Sequence, residues 1–346
     1  MISSRSAALR PGRVTAGVLA GMAGAAVLAA APAAVASPAQ QLRFRTINVP
    51  GAAATELLAI NDFGVLAGGY QDATGWHAFI KTARHITRFS YPRSSYTIAS
   101  SIDDQGTASG WYQRSDGSYA GLVRSPAGQL TPLSDPRAGT GANQGTIATA
   151  VNDRGTVVGL YVTSANIEHG FVYRSGRFAT VDVPGGFYGK PGWGSYINDL
   201  NNAGVMVGEY TPSNDNVVEG YVETPGRHYF SFTAPGAGTH PGYRTEPESI
   251  SGTGVIAGDT LGPSGIYHGW ALSGFRYTPI NDPLATTIPA KGRNGGTFPT
   301  VINRHGVLVG TYFDARHVEH RFLVRTGLTQ AATIPRTPPA TSRSRS

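Results

Sequence analysis

Val151-Asn152-Asp153-Arg154-Gly155-Thr156-Val157-Val158-Gly159-Leu160-Tyr161 is followed by Glu168-His169-Gly170-Phe171-Val172-Tyr173, and then by Arg177-Phe178-Ala179-Thr180-Val181-Asp182-Val183-Pro184-Gly185. The unit recurs. Its core is an apolar residue, Asn or Asp, a polar residue, any residue and Gly, then a short apolar run with an internal Gly. Copies start at Ile60-Asn61-Asp62-Phe63-Gly64, Ile102-Asp103-Asp104-Gln105-Gly106, Leu200-Asn201-Asn202-Ala203-Gly204, Ile250-Ser251-Gly252-Thr253-Gly254 and Ile302-Asn303-Arg304-His305-Gly306. From Gly64 the turn glycines follow at intervals of 42, 49, 49, 50 and 52 residues. Periods of about 40–50 residues carrying four short strands are the sequence mark of propeller blades.

Each copy supports four strands, a to d from the inside outward. Strand a ends at the Asn. Asn-Asp-x-Gly is a tight turn, because Asn and Asp bond their own backbone and Gly supplies positive φ. Strand b is Thr156 to Tyr161, strand c His169 to Arg174, and strand d Arg177 to Val183. Pro cannot continue a ladder, so Val49-Pro50-Gly51, Val183-Pro184-Gly185 and Ala234-Pro235-Gly236 mark strand ends. No sustained helical period occurs beyond the first thirty-odd residues.

A glycine recurs inside strand b at Gly68, Gly110, Gly159, Gly208, Gly258 and Gly310. The corresponding position of strand c holds Phe79, Leu122, Phe171, Tyr221, Trp270 and Phe322. A glycine weakens a strand unless something needs the space. Two readings fit: a large side chain laid over each glycine, or a bulge at each one.

Asn-Asp-x-Gly, then Val-Val-Gly-x-Tyr, then His77-Ala78-Phe79 or His169-Gly170-Phe171 resembles the HAF-repeat extracellular proteins, over about residues 42–335. Ala120 and Glu219 replace the histidine in the second and fourth copies. The resemblance implies a secreted, repeat-built protein and carries over no catalytic residue.

The first 36 residues have the form of a Sec signal peptide: a basic start (Arg5, Arg10, Arg13), an Ala-rich apolar run from Val14 to Ala31, and Ala34-Val35-Ala36 as the cleavage site. The mature domain is then 37–335, expected as a monomer without stable membrane insertion. Residues 336–346 form a Pro/Ser/Thr/Arg tail of disordered composition. The absence of cysteine excludes thiolate catalysis, Cys-bound zinc and disulfides. A chain near 300 residues buries roughly 75% of its surface and needs no such staples. The formal charge of +7 is carried at the ends. Setting aside three arginines in the signal and three in the tail (Arg336, Arg343, Arg345) leaves about +1, so the charge is no argument for nucleic acid.

No G-x-S-x-G elbow, H-E-x-x-H or phosphate-binding loop occurs. No cofactor, metal or catalytic residue is assigned. His77, His169, His268 and His320 share one repeat position, so successive blades hold them apart, whereas a metal needs its ligands about 2 Å away. They are read as repeated structural hydrogen-bonders. The Asn-Asp-x-Gly turns lack the ligand pattern of a calcium loop.

What varies between copies is the d–a connections, from Gly185 to Tyr196, Gly238 to Glu248 and Pro289 to Phe298. The b–c loops at Thr211 to Asn216 and Phe313 to His317 vary too. Both kinds lie on one face, and binding sits on variable loops carried by a rigid frame. Aromatic faces among planar hydrogen-bonders suit a polar ligand such as a sugar. The candidate ligand-binding residues are therefore Tyr188, Trp193, Tyr243, Arg244, Glu246, Arg293 and Asn294. The sequence predicts an all-β propeller of six four-stranded blades. Its ring is closed by a d-like strand from one end, Phe44 to Val49 or Leu328 to Ile334, which leaves the other surplus. Functionally it points to a non-catalytic binding or scaffold module for an extracellular glycan or protein. The alternative is a secreted, glycan-directed hydrolase or lyase at the same mouth, for which a close carboxylate pair there is the discriminator.

Overall fold

The structure is a computed structural model, and it describes residues 47–212, 217–238, 240–289 and 295–330. Among them are 23 strands and no helix. Unit one is β1 (Ala54–Ile60), β2 (Leu66–Asp72), β3 (Gly75–Lys81) and β4 (Ile86–Phe89). Unit two is β5 (Thr97–Ile102), β6 (Ala108–Gln113), β7 (Tyr119–Arg124) and β8 (Leu130–Leu133). Unit three is β9 (Gly145–Val151), β10 (Val157–Val162), β11 (Glu168–Arg174) and β12 (Arg177–Val181). Unit four is β13 (Ser195–Leu200), β14 (Met206–Tyr210), β15 (Glu219–Thr224) and β16 (His228–Phe232). Unit five is β17 (Arg244–Ile250), β18 (Ile256–Leu261), β19 (Tyr267–Ser273) and β20 (Arg276–Pro279). Unit six has β21 (Gly296–Ile302), β22 (Val307–Phe313) and β23 (Glu319–Arg325).

Each unit is an antiparallel meander in sequence order. Single-residue parallel bridges tie strand c of one unit to the start of the next, as at Tyr119 with Gly145, Tyr267 with Gly296 and Trp76 with Tyr96. The a–b turns form as the sequence predicts. At Asn61 the side-chain Oδ1 accepts from the N–H groups of Phe63 and Val65, and Gly64 takes a φ of 76°.

Both readings of the strand-b glycine hold at once. Every inner strand carries a bulge, and the residue skipped in the ladder is Leu58, Ser100, Thr149, Asn198, Glu248 or Thr300. The glycine sits beside it. A methyl group placed on Gly68 would lie 1.9 Å from the Glu56 carbonyl oxygen and 3.1 Å from the Phe79 ring. The bulge brings the inner-strand carbonyl onto the glycine, and the strand-c ring covers what remains. The skipped side chains then reach the next unit. Thr149 Oγ1 donates to the Ile197 carbonyl at 2.7 Å, and Asn198 Nδ2 to the Pro247 carbonyl at 3.1 Å.

A second device joins the units. A residue followed by proline stands ahead of each inner strand: Val49, Tyr91, Asp135, Val183, Ala234 and Asp282. The N–H of that residue donates to a hydroxyl on the next inner strand. The acceptors are Thr55 (3.0 Å), Thr97 (3.1 Å), Thr146 (2.8 Å), Ser195 (3.4 Å), Thr245 (3.0 Å) and Thr297 (3.0 Å). Pro takes the chain out of the ladder, and the hydroxyl satisfies an N–H that would otherwise be buried without a partner.

The last unit packs on the first. Asn303 Nδ2 donates to the Asn61 carbonyl at 3.0 Å, and the Arg304 N–H donates to Asp62 Oδ1 at 2.8 Å. Val301, Val307 and Val309 share one core with Leu57, Ile60 and Phe79. Of the two d-like end strands, Phe44 to Thr46 and Ala331 to Ile334 lie outside the described residues, as do the signal segment and the basic tail. The b–c connections are less uniform than the sequence suggests. In unit one Asp72 pairs with Gly75 across only Ala73-Thr74.

Candidate functional site

The inner strands surround an axis with two chemically different ends. At the turn end a cavity of about 90 Å³ is lined from all six units, with Asn61, Asp103, Asn152, Asn201, Ser251 and Asn303 in equivalent places. Its polar groups are engaged with one another around the axis. Asn61, Asn152 and Asn201 each donate to the carbonyl of the equivalent residue in the next unit, at 3.0, 3.1 and 3.2 Å. The N–H groups of Asp62, Asp104 and Asp153 donate to Asp104, Asp153 and Asn202. Turn chemistry and packing between units account for these residues.

The loop end, where the inner strands begin, carries two sets of side chains. One is aromatic. Tyr96 stacks on Trp111 with centroids 5.0 Å apart and contacts Trp76 at 5.9 Å, and Trp111 meets Tyr119 edge-on at 5.2 Å. Trp76, Tyr96 and Trp111 are half-buried, so each keeps surface for a ligand. The other set is carboxylates and arginines. Glu56 stands at the third position of β1, and burial, then the charge of Glu56, push the Tyr96 phenol up. Burial, then the charge of Glu319, raise the Glu56 carboxyl from 4.5 to about 7, with Arg321 opposing the shift. Arg321 is 7% exposed and paired to Glu319 at 3.2 Å.

On the unit-five side Arg244 pairs with Glu246 at 3.0 Å. Glu246 is directly opposite Asp259 across the β17–β18 ladder. Asp259 is 1% exposed, and among the described residues no N–H or hydroxyl donates to either of its oxygens. Burial, then the charges of Glu246 and Glu248, hold its carboxyl well above the usual range. The close carboxylate pair sought as a mark of hydrolysis therefore exists, but it is buried, with Glu246 at 3% exposure.

The residues singled out from sequence fall into two groups. Tyr188 stacks face to face on His169 at 5.2 Å and bonds Ser195 Oγ at 2.8 Å through its hydroxyl, which burial pushes up to about 12. Trp193 is 4% exposed, under Lys190 and edge-on to Phe187. At the next junction Tyr243 meets His240 edge-on, with Arg244 and Glu246 following. Arg293 and Asn294 lie outside the described residues. Burial thus makes Trp193 and Glu246 parts of the frame. The half-buried side chains at this end are Trp76, Tyr96, Trp111 and Glu56, none of which the sequence analysis singles out. Aligning inner strands on the glycine register would have found Glu56, since it and Glu246 occupy the same position.

The repeated histidines are bound within their own units. His77, His169 and His320 stack on or tilt against Tyr70, Tyr161 and Tyr312, and bond Asp72, Asp182 and Asp314 at 3.0, 2.9 and 3.1 Å.

No family model matches the chain, and no curated protein does. Solved structures do. A mutant of AofleA from Arthrobotrys oligospora aligns with a TM-score of 0.48 at 12% identity, over 83% of this chain and 87% of that one. A fungal lectin from Aleuria aurantia, described as a six-bladed β-propeller with a fucose recognition mode, aligns at 0.43 and 14% identity, over 82% and 95%. The β-propeller domain of the Trilobed protease from Pyrococcus furiosus aligns at 0.42 and 10% identity, over 79% and 95%.

The raised Glu56 carboxyl has a consequence for stability. Its folded value of about 7 lies above the ordinary 4.5, so the folded state holds this proton more tightly than the unfolded chain. The associated stabilisation is complete below pH 4.5 and is lost as pH rises to about 7. At 1.36 kcal/mol per pH unit the change is up to about 3 kcal/mol. Urea melts from pH 4.5 to 7.5 should show this decline flattened in Glu56→Gln. An identical slope in the variant would refute the assignment.

Proposed function

We propose that the mature chain, exported by the Sec route and trimmed after Ala36, is a monomeric six-bladed β-propeller that binds an extracellular glycan or protein without transforming it. The ligand is taken at the loop end of the axis, where the d–a and b–c connections converge. The observation that carries this reading is the run of half-buried aromatics Trp76, Tyr96 and Trp111 beside Glu56 and Arg321. Aromatic faces next to planar hydrogen-bonding groups are what a sugar ring or a polar peptide segment needs. The absence of nucleophile motifs and the burial of the Glu246–Asp259 pair support a binding role.

A glycan array run on the mature protein tests it. Removing a desolvated aromatic anchor typically costs about 2 kcal/mol or more, so Trp111→Ala should weaken the captured glycan at least about tenfold. Phe63→Ala, at the opposite end of the axis, should leave binding unchanged. Equal affinity in Trp111→Ala and the parent would sink the placement.

One observation favours a second reading, a glycan-directed hydrolase or lyase. A carboxyl held near 7 is suited to general acid–base work at neutral pH. Turnover of an array-positive glycan that disappears in Glu56→Gln, with binding retained, would establish it.

A further inference from the structure

The six units place their charges unevenly along the axis. Strands c and d are joined at the turn end, beside the a–b turns. A methyl group on Gly204 would lie 3.6 Å from the Pro225 ring, and the Thr326 N–H donates to the Gly306 carbonyl at 2.8 Å. From the last residue of each strand c to the first of strand d, and over residues 325–328 in unit six, there are eight Lys and Arg and no Asp or Glu. Every unit contributes, through Arg84, Arg124, Arg177, Arg227, Arg276 and Arg325. The a–b turns add two Arg and four Asp, which leaves the turn end at +6. The b–c and d–a connections at the loop end, counted the same way, hold eight Lys and Arg against ten Asp and Glu, or −2. We propose that the turn end docks peripherally on an anionic lipid surface, with Phe63 and Phe275 entering the headgroup layer among the arginines and the loop end facing away from it.

The cations are available and the acids are engaged. Arg84, Arg177, Arg276 and Arg325 are exposed and pair with no carboxylate among the described residues, whereas Arg227 pairs with Glu223 at 3.3 Å. Asp62, Asp104 and Asp153 each accept from a backbone N–H of a neighbouring unit. Asp103 is buried and accepts from the N–H groups of Gln105 and Thr107. These acids also stand nearer the axis, because strand a is the innermost strand, and the arginines of the c–d turns form the periphery. A surface approaching the turn end meets the cations, and opposite charge draws it there.

The two most exposed large apolar side chains among the described residues lie at this same end, Phe275 at 78% and Phe63 at 71%. Phe275 is on the c–d turn of unit five and Phe63 on the a–b turn of unit one. They flank unit six, whose own turns supply Arg304 and Arg325. Bonds tie the three units together here: Ser273 Oγ donates to the Gln330 carbonyl at 2.6 Å, and the Arg304 N–H to Asp62 Oδ1 at 2.8 Å. Aromatic rings set among Lys and Arg are the composition of surfaces that sit at a membrane interface. The geometry favours a bilayer over a dissolved polyanion. The cations stand on turns of six different units around the axis, which a flat surface meets together and one extended polymer strand meets only in part.

Vesicle sedimentation tests this, independently of any ligand at the loop end. Vesicles of equal parts phosphatidylglycerol and phosphatidylcholine should carry the mature protein into the pellet, and phosphatidylcholine alone should not. Added salt should release it. Each cation near an anionic leaflet contributes about fivefold, so Arg276→Ser/Arg325→Ser should bind about thirtyfold more weakly. Phe63→Ser/Phe275→Ser should also bind more weakly. Arg93→Ser/Arg316→Ser, which removes two exposed cations of the loop end, should bind as the parent does. All these side chains are exposed, so urea midpoints should match the parent's. The proposal is overturned if neutral vesicles bind equally well, or if the protein stays in the supernatant with both. Retention on immobilised heparin without vesicle binding would identify an acidic polysaccharide as the partner instead. It is overturned too if Arg276→Ser/Arg325→Ser binds as tightly as the parent, which would move the contact to the tail arginines Arg336, Arg343 and Arg345.

Discussion

Gly159→Ala is expected to cost about 3 kcal/mol or more of unfolding free energy, read as a fall in the urea midpoint with an unchanged slope. Gly159 lies in β10 beside the β9 bulge. A methyl group there would sit 2.0 Å from the Ile147 carbonyl oxygen and 3.0 Å from the Thr149 N–H nitrogen. The three nearest atoms are all backbone, and no rotamer change relieves them. Ordinary overpacking of a core costs about 1–3 kcal/mol because side chains can shift; here the inner strand itself must move. Gly176→Ala is the matched control. Gly176 has a φ of 81° but open space around it, so it should lose only the smaller penalty of a left-handed alanine. Equal losses in the two variants would mean that the close carbonyl at the bulge places no special demand on Gly159, which itself has no positive φ.

The second large effect is at Trp193. From sequence it is a ligand anchor, but at 4% exposure it is a buried side chain pinned by Phe187 and Lys190. Trp193→Ala should therefore cost about 3–5 kcal/mol of stability, the range for deleting a large aromatic from a core. At temperatures where the variant stays folded, binding at the loop end should persist. A variant as stable as the parent that has lost only its ligand would return Trp193 to the binding surface.

These two residues show what the sequence discloses and what it conceals. The period of the turn glycines and the Asn-Asp-x-Gly chemistry are local, and both appear in the structure where they were expected. The bulge was only one of two readings, because a strand-interior glycine looks the same whether a ring or a carbonyl fills its space. The hydroxyl latch was half visible. Three of the six X-Pro ends are legible as strand stops, but their partners Thr55, Ser195 and Thr245 sit on the following strand, and only tertiary pairing explains them. The proposed binding residues were the least legible. Loop composition favoured Trp193 and Glu246, whereas exposure is set by how loops fold over one another, and Phe187 and Lys190 close over Trp193. Trp76, Trp111 and Glu56 lie on regular strands and gave no such signal.

The X-Pro latch also bears on how such a chain changes length over generations. Each latch joins a donor at the end of one period to an acceptor at the start of the next, and all six use the same chemistry. A recombination event that copies or removes one whole period, wherever within it the breaks fall, leaves every donor facing a hydroxyl. The joints are interchangeable even though the loops are not. The number of units can therefore drift by gene duplication without a new joint, while the connecting loops diverge in sequence.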